Sequence, residues 1–323
     1  MQFIKELGAG LTKKGLLYEQ NGEKIVLLKE VRKSKRRSFI WQARKEANIT
    51  QKLPQHMSCD IRTVRVKRLR GEWEVTAHYV EGEPLTRELF ATLSAEQKDK
   101  LVADFAEFLL TLHSLPVCMM DERYADEADA IGIRYLLGAF FYKLFCFKKD
   151  YLSLKKPWKN PYGTRAFRRL REKLYRSLSF APQEIEWMEQ AVADVCHAPD
   201  LFAYIGVCMD DFSGSNFLYD KQTERLGALD LCCPYKGNLY YDFSNIYWWM
   251  GKEFLQALIA HYNTLATQRE VHLPKSKAYP LRIEYAKALK LRAVWLLQRA
   301  AKFPDCKDEI IDLLHEIYSP AQS

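Results

Sequence analysis

The sequence predicts an α+β fold in two parts, a β-rich N-terminal lobe over residues 1–81 and a mainly helical C-terminal lobe over 82–323. Two observations predict it. Up to about residue 80 the chain runs in short strand-like segments separated by turn residues. From Ser94 onward, apolar residues recur at helical spacing over longer stretches. Gly82 and Pro84 punctuate the chain between the two regimes, which sets the boundary there.

The N-terminal elements follow in order. Residues 3–7 read as a strand leading into Gly8-Ala9-Gly10, and residues 15–19 as its successor. Gln20-Asn21-Gly22-Glu23 is the turn before a third strand over 24–29, and its Asn-Gly pair is a strong hairpin signal. Gly8 and Gly10 would let backbone N–H groups approach phosphates. A plain turn is the other reading, because Lys13 interrupts a full G-x-G-x-x-G. The run Arg32-Lys33-Ser34-Lys35-Arg36-Arg37 reads as a solvated basic loop, with an anionic substrate or membrane surface as the sharper alternative. Glu46 lies in the helical segment that follows. Residues 64–69 and 74–80 read as a strand pair around Arg70-Gly71-Glu72.

The second part opens with a capping box, Ser94 with Gln97 three residues on. Leu101, Phe105, Phe108, Leu109 and Leu112 then mark one helical face, and His113 reads as a packed structural histidine. Residues 131–147 are apolar with only Arg134 and Lys143 as charges. That describes a buried helix, or else a membrane-surface helix, since Lys148 and Lys149 follow. A basic run from Lys155 to Arg176 is either a solvated face or a binder of phosphate or carboxylate. Helices are expected over 184–196, 242–262, 283–301 and 305–317, and a strand over 201–208.

Bulk properties bound the function. The 323 residues can bury a large core, and 48% hydrophobic with 28% charged residues is ordinary for a soluble globular chain. No apolar run approaches the ~20 residues of a spanning helix, and the first six residues lack a signal-peptide core. Eight cysteines without C-x-x-C spacing point to reduced thiols and a cytoplasmic setting rather than a disulfide framework or zinc site. The net charge of +8 favours anionic partners, ATP among them. The basic runs carry Trp158 and Tyr162 but no nucleic-acid motif, so no specific nucleic-acid partner is expected.

The chemistry concentrates in Met209-Asp210-Asp211-Phe212-Ser213-Gly214-Ser215-Asn216. Phosphoryl transfer needs a carboxylate to orient and deprotonate the acceptor hydroxyl, and hard oxygen ligands for Mg²⁺. Asp211 offers the first, and Asn216, five residues on, offers an amide oxygen. Residues 217–219 and 226–229 read as two strands around a polar turn, so the chain folds back and returns Asp230 towards Asn216.

These residues resemble the core of the aminoglycoside phosphotransferase family, which reads H-G-D-L-x-x-x-N followed by hydrophobic-D, a glycine and D-hydrophobic. Met209-Asp210-Asp211-Phe212 stands at H-G-D-L, Asn216-Phe217-Leu218 follows in step, and Leu229-Asp230, Gly237 and Asp242-Phe243 match the later elements. The resemblance implies a two-lobed protein-kinase-like fold and ATP-dependent phosphorylation of a small-molecule hydroxyl. It implies Asp211 as the catalytic base, Asn216 and Asp230 as Mg²⁺ ligands, and Asp242 as a mainly structural acid. Val26-Leu27-Leu28-Lys29 is similar to the V-A-I-K strand of kinases, which implies that Lys29 holds the phosphates and pairs with Glu46; a solvated strand end is the other reading. Glu30 is a rival to Glu46, but alternation puts it on the face opposite Lys29. Tyr79, Val80 and Glu81 resemble the lobe-connecting segment whose backbone bonds the adenine edge. Glu253 and Glu284 are candidate acceptor contacts. Met209 and Asp210 depart from the pattern and keep open a catalytically inactive nucleotide-binding protein. The positive charge fits a cationic aminoglycoside poorly and keeps open a kinase of an anionic or lipid-linked sugar.

Overall fold

The computed structural model describes the chain apart from residues 10–12, 33–35, 55, 70–71, 116–161, 163–164, 199–200, 202–203, 210–211, 232–233, 272–279, 302 and 320–323. The apolar segment 131–147 and Lys155, Lys156 and Lys159 lie outside the described residues.

The N-terminal sheet forms where the alternation predicts it. β1 (Gln2–Ala9), β2 (Lys13–Gln20) and β3 (Glu23–Glu30) run antiparallel. Asn21 and Gly22 turn the β2–β3 hairpin at φ 55° and 83°, the left-handed values that the Asn-Gly pair suits. α1 (Arg36–Thr50) follows. After β4 (Asp60–Ile61), which lies outside this sheet, β5 (Val64–Leu69) and β6 (Glu72–His78) complete a five-stranded sheet of order β1-β2-β3-β6-β5. Opposite residues in antiparallel pairs share a face. Leu17 with Val26, Leu28 with Val75, and Val26 with Ala77 therefore form one apolar surface. α1 lays Phe39, Ile40, Ala43 and Ala47 on that surface.

A second sheet, of order β4-β10-β9-β7, joins β7 (Glu83–Pro84), β9 (Phe217–Asp220) and β10 (Arg225–Ala228) to β4. β8 (Ile205–Met209) pairs with β11 (Pro234–Asn238). α2 (Arg87–Thr92) precedes α3 (Ala95–His113), whose Ser94–Gln97 capping box forms as expected. His113 is buried with Nδ1 2.9 Å from the Tyr262 hydroxyl, a packed histidine.

The helical remainder comprises α4 (Arg165–Ser177), α5 (Pro182–His197), α6 (Tyr240–Gln268), α7 (Tyr285–Ala300) and α8 (Cys306–Tyr318). α6 breaks at Gly251, where φ is 83°. Arg87 Nε donates to the Trp249 carbonyl beside that break, at 2.9 Å. Two compact units emerge, one of Met1–Leu115, Val207–Lys236 and Trp249–Ala266, the other of Pro116–Gly206, Gly237–Trp248 and Thr267–Ser323. The pairing of β4 with β10 and of β7 with β9 ties the chain before and after residue 81 into one sheet.

Candidate active site

Local pairing places Asn216 and Asp230. β9 and β10 form the expected hairpin, ending with Ala228 opposite Phe217. One step further the Leu229 N–H donates to the Asn216 carbonyl at 2.7 Å, so Asn216 and Asp230 leave adjacent strand ends. Asn216 is buried, and its N–H donates to the Ser213 carbonyl at 2.9 Å. Asp230 has φ 55°, a left-handed conformation that costs a non-glycine residue about 1–3 kcal/mol and persists only where the surroundings impose it. The loop between Phe212 and Phe217 is held from below by aromatics: the two rings stack at 5.7 Å, and Phe105 of α3 lies 4.8 Å from Phe217. Gly214 is required there, since a Cβ would meet the Leu85 carbonyl oxygen at 2.7 Å.

At this hairpin end lies a cluster of four charges. Lys13 Nζ, on the first residue of β2, is 2.5 Å from Asp230 Oδ1 and 3.1 Å from Glu46 Oε2. Arg62 binds the other oxygen of Glu46 through Nε at 3.0 Å and through Nη2. Arg62 is placed by β4, which runs parallel to β10 and passes the Arg62 N–H to the Ala228 carbonyl at 2.9 Å. Glu46 sits on the apolar face of α1 with 0% exposure, where a carboxylate is tolerable only if paired. Two cations and two carboxylates balance.

The structure brings Glu46, Asn216 and Asp230 to this region but does not bring Lys29 to Glu46. The inner surface carries Val26 and Leu28; Lys29, one residue on, is exposed on the other face beside its β2 partner Lys14. Lys13 and Glu30 are the pair that faces inward. Gly8 lies in β1 opposite Gly15. Gly10, Asp210 and Asp211 lie outside the described residues. In the expected hinge, Val80 is buried against Gly227, where a Cβ would come within 2.4 Å of Val80 Cγ1. Glu81 pairs with Lys24, whose ammonium also lies 5.2 Å from the Tyr79 ring centroid. Met209 and Asp242 are both buried. Met209 closes β8 as a buried thioether where the family pattern has His.

Lys13 and Arg62 went unrecognised in the sequence. Lys13 entered only as the residue that interrupts the glycine pattern; the alternation Lys13, Gly15, Leu17 puts it on one face with Leu17 without saying that this face is the inner one. Arg62 carries no local signal; only its non-local strand pairing reveals it.

The donors suit a magnesium-bound nucleotide. Mg²⁺ takes hard oxygens, uses one or two carboxylates and fills its shell from phosphate and water. Asp230 is already directed at a positive charge, the Lys13 ammonium.

Known proteins similar to this chain share its family and its fold. The model of the phosphotransferase enzyme family (APH) matches residues 43–273. No curated protein gives a significant match. Among solved structures, the GDP and kanamycin complex of an APH(2″) enzyme superposes with a TM-score of 0.55 at 16% identity, covering 97% of this chain and 92% of the other. The streptomycin–ATP–APH(2″)-IIa ternary complex gives 0.53 at 18%, covering 98% and 93%. The macrolide 2′-phosphotransferase MphH from Brachybacterium faecium gives 0.51 at 13%, covering 100% and 93%. At these identities the likeness is one of fold, the kinase-like α+β architecture expected from the sequence.

Proposed function

The chain belongs to the phosphotransferase enzyme family, and on that premise we propose that it moves the γ-phosphoryl group of ATP to a hydroxyl of a small molecule. The observation that supports this reading is the β9–β10 hairpin, which leaves Asn216 and Asp230 at adjacent strand ends, with Asp230 in a part-buried, charge-balanced cluster built on the buried Glu46. Solved structures of similar fold are described with ATP or GDP together with an aminoglycoside, which supports a nucleotide and a small polar acceptor here.

Each residue has a task. Asn216 and Asp230 would hold Mg²⁺, which when bound supplies charge neutralisation to the phosphoryl oxygens. Asp211 would orient the acceptor hydroxyl and accept its proton. The backbone at Tyr79, Val80 and Glu81 would meet the adenine edge, and Gly8 and Gly10 would let backbone N–H groups approach the phosphates. Glu46 fixes the cation that faces the phosphates. Little covalent chemistry falls to the protein, so positioning and charge stabilisation account for most of the catalysis. No described helix is long and apolar enough to cross a membrane, and we read the setting as cytoplasmic.

A second reading concerns the acceptor. Arg165, Arg168, Arg169, Lys173 and Arg176 are exposed along α4, which favours an anionic sugar or lipid-linked sugar over a cationic aminoglycoside. Purified protein with Mg²⁺ and labelled ATP, screened against aminoglycosides, amino sugars, choline-like alcohols and phosphorylated sugars, separates the two acceptor classes. Asp211→Ala should abolish transfer to whichever acceptor is found while leaving the melting temperature unchanged. Full turnover by that variant would remove Asp211 from its role. Nucleotide binding by the wild type with no transfer to any acceptor class would favour the inactive module.

A further inference from the structure

We propose that Lys13, from the second strand, is the cation that grips the nucleotide phosphates, in place of the third-strand Lys29 that the V-L-L-K motif points to. The inference rests on the phosphotransferase reading and changes which strand supplies that side chain.

Facing decides first. β3 pairs with β2 over eight consecutive positions and with β6 over four, so its register is pinned from both sides. Turning Lys29 inward needs a one-residue slip, which would also turn Val26 and Leu28 out of the core. Lys13 already faces inward, on the same face as Leu17 and directly opposite Glu30. The usual lysine position on the inner face of the third strand is therefore held by an acid, and the lysine stands one strand over.

The contacts decide second. The Lys13 ammonium lies between the helix carboxylate Glu46 at 3.1 Å and the hairpin carboxylate Asp230 at 2.5 Å. A phosphate-gripping lysine needs both neighbours: one carboxylate to fix it and a metal-binding carboxylate beside it. An ammonium has three donors, so Lys13 can keep Glu46 and still reach a phosphate oxygen once Asp230 turns to a metal. Arg62 accounts for what happens next. Its two nitrogens on the far oxygen of Glu46 keep that fully buried carboxylate paired while Lys13 shares itself with the ligand.

The rescue experiment follows from the register. ATP binding, with and without Mg²⁺, would be titrated calorimetrically on the full chain and on Lys13→Met, Lys29→Met and the double variant Lys13→Met/Glu30→Lys. Melting temperatures of the unliganded proteins would be measured alongside. Losing one charge-assisted contact should weaken ATP binding about tenfold or more in Lys13→Met. Lys29→Met should stay within about twofold of wild type. Glu30→Lys should restore most of the loss, because position 30 projects beside position 13 on the same face. Loss of affinity in Lys29→Met with retention in Lys13→Met would overturn the inference, as would a Glu30→Lys variant that folds yet rescues nothing. If Lys13→Met does not fold, Lys13→Gln stands in for it, and a folded Lys13→Gln that binds ATP as tightly as Lys29→Met overturns the inference equally. A wild type that binds no adenine or guanine nucleotide would instead overturn the phosphotransferase reading itself.

Discussion

Two ionic clusters, one in each compact unit, use similar parts and are held differently. In the first unit, Lys13, Glu46, Arg62 and Asp230 come from a strand start, a helix face and two strand ends, and Asp230 is held at positive φ. In the second, Arg292 of α7 is 5% exposed, binds Glu309 of α8 through Nε at 2.9 Å and Asn245 through Nη1 at 2.9 Å, and lies 5.0 Å from the Trp295 ring. Burial lowers its pKa, and Glu309 opposes that. Every partner of Arg292 named here stands on a helix, so the cluster fastens helices to one another. Three members of the first cluster, Lys13, Arg62 and Asp230, sit at strand ends where backbone can turn, and one carboxylate holds a cation that a metal would replace. The difference teaches that buried charge alone does not mark a functional site; the anchoring of its members does.

The largest test of that contrast is Asp230→Asn. It should reduce phosphotransfer about a thousandfold, the scale of losing a central electrostatic contact, while the melting temperature moves by a few degrees at most. A variant that melts far lower and retains its specific activity would make this cluster structural, like the other. Arg292→Met should do the reverse. Removing one partner of a buried pair costs about 3–5 kcal/mol, and Glu309 is part exposed, so the low end is expected. That loss should lower the melting temperature by roughly 4–5 °C for a chain of this size. Phosphotransfer measured well below the transition should be unchanged; a large loss there would erase the contrast from the other side. Glu46→Gln should fall between the two, with about a ten- to hundredfold loss of transfer and a measurable loss of stability, because it weakens the anchoring of Lys13 and Arg62 together.

How far the sequence was legible follows the same division between local and non-local information. The β2–β3 turn at Asn21-Gly22, the capping box at Ser94 and Gln97, and the hairpin that returns Asp230 to Asn216 are each written within a few residues, and each forms. α5, α7 and α8 appear within two residues of their expected limits, since apolar spacing along one helix is also local. α6 extends beyond 242–262 at both ends and breaks at Gly251, a break that spacing alone did not disclose. Lys29 shows where local reading stops. Alternation correctly places Lys29 and Glu30 on opposite faces. It does not say which face is inner. That is decided by Leu17, Val75 and Ala77, which lie on other strands. Arg62 is harder still, because it reaches Glu46 through a parallel pairing with a strand more than 160 residues away.

The smallest effect comes from a third ion pair, which shows what solvent does to such contacts. His78 Nε2 lies 3.3 Å from Asp60 Oδ2, with side-chain exposures of 49% and 35%. The hydrogen bond to Asp60 raises the imidazole pKa above its ordinary value of 6.5, and partial burial opposes it. A raised native pKa means that the folded chain binds the proton more tightly than the unfolded chain. The stabilisation is therefore complete below pH 6.5 and is lost as pH rises through the native value. His78→Asn should flatten that fall in melting temperature above pH 6.5, and 1 M salt should shrink it in the wild type, because exposed charges are screened. The Arg292 pair should respond less to the same salt, since Arg292 is buried. Equal salt sensitivity of the two contributions, measured as variant-minus-wild-type melting shifts at low and high salt, would mean that exposure is not what separates them.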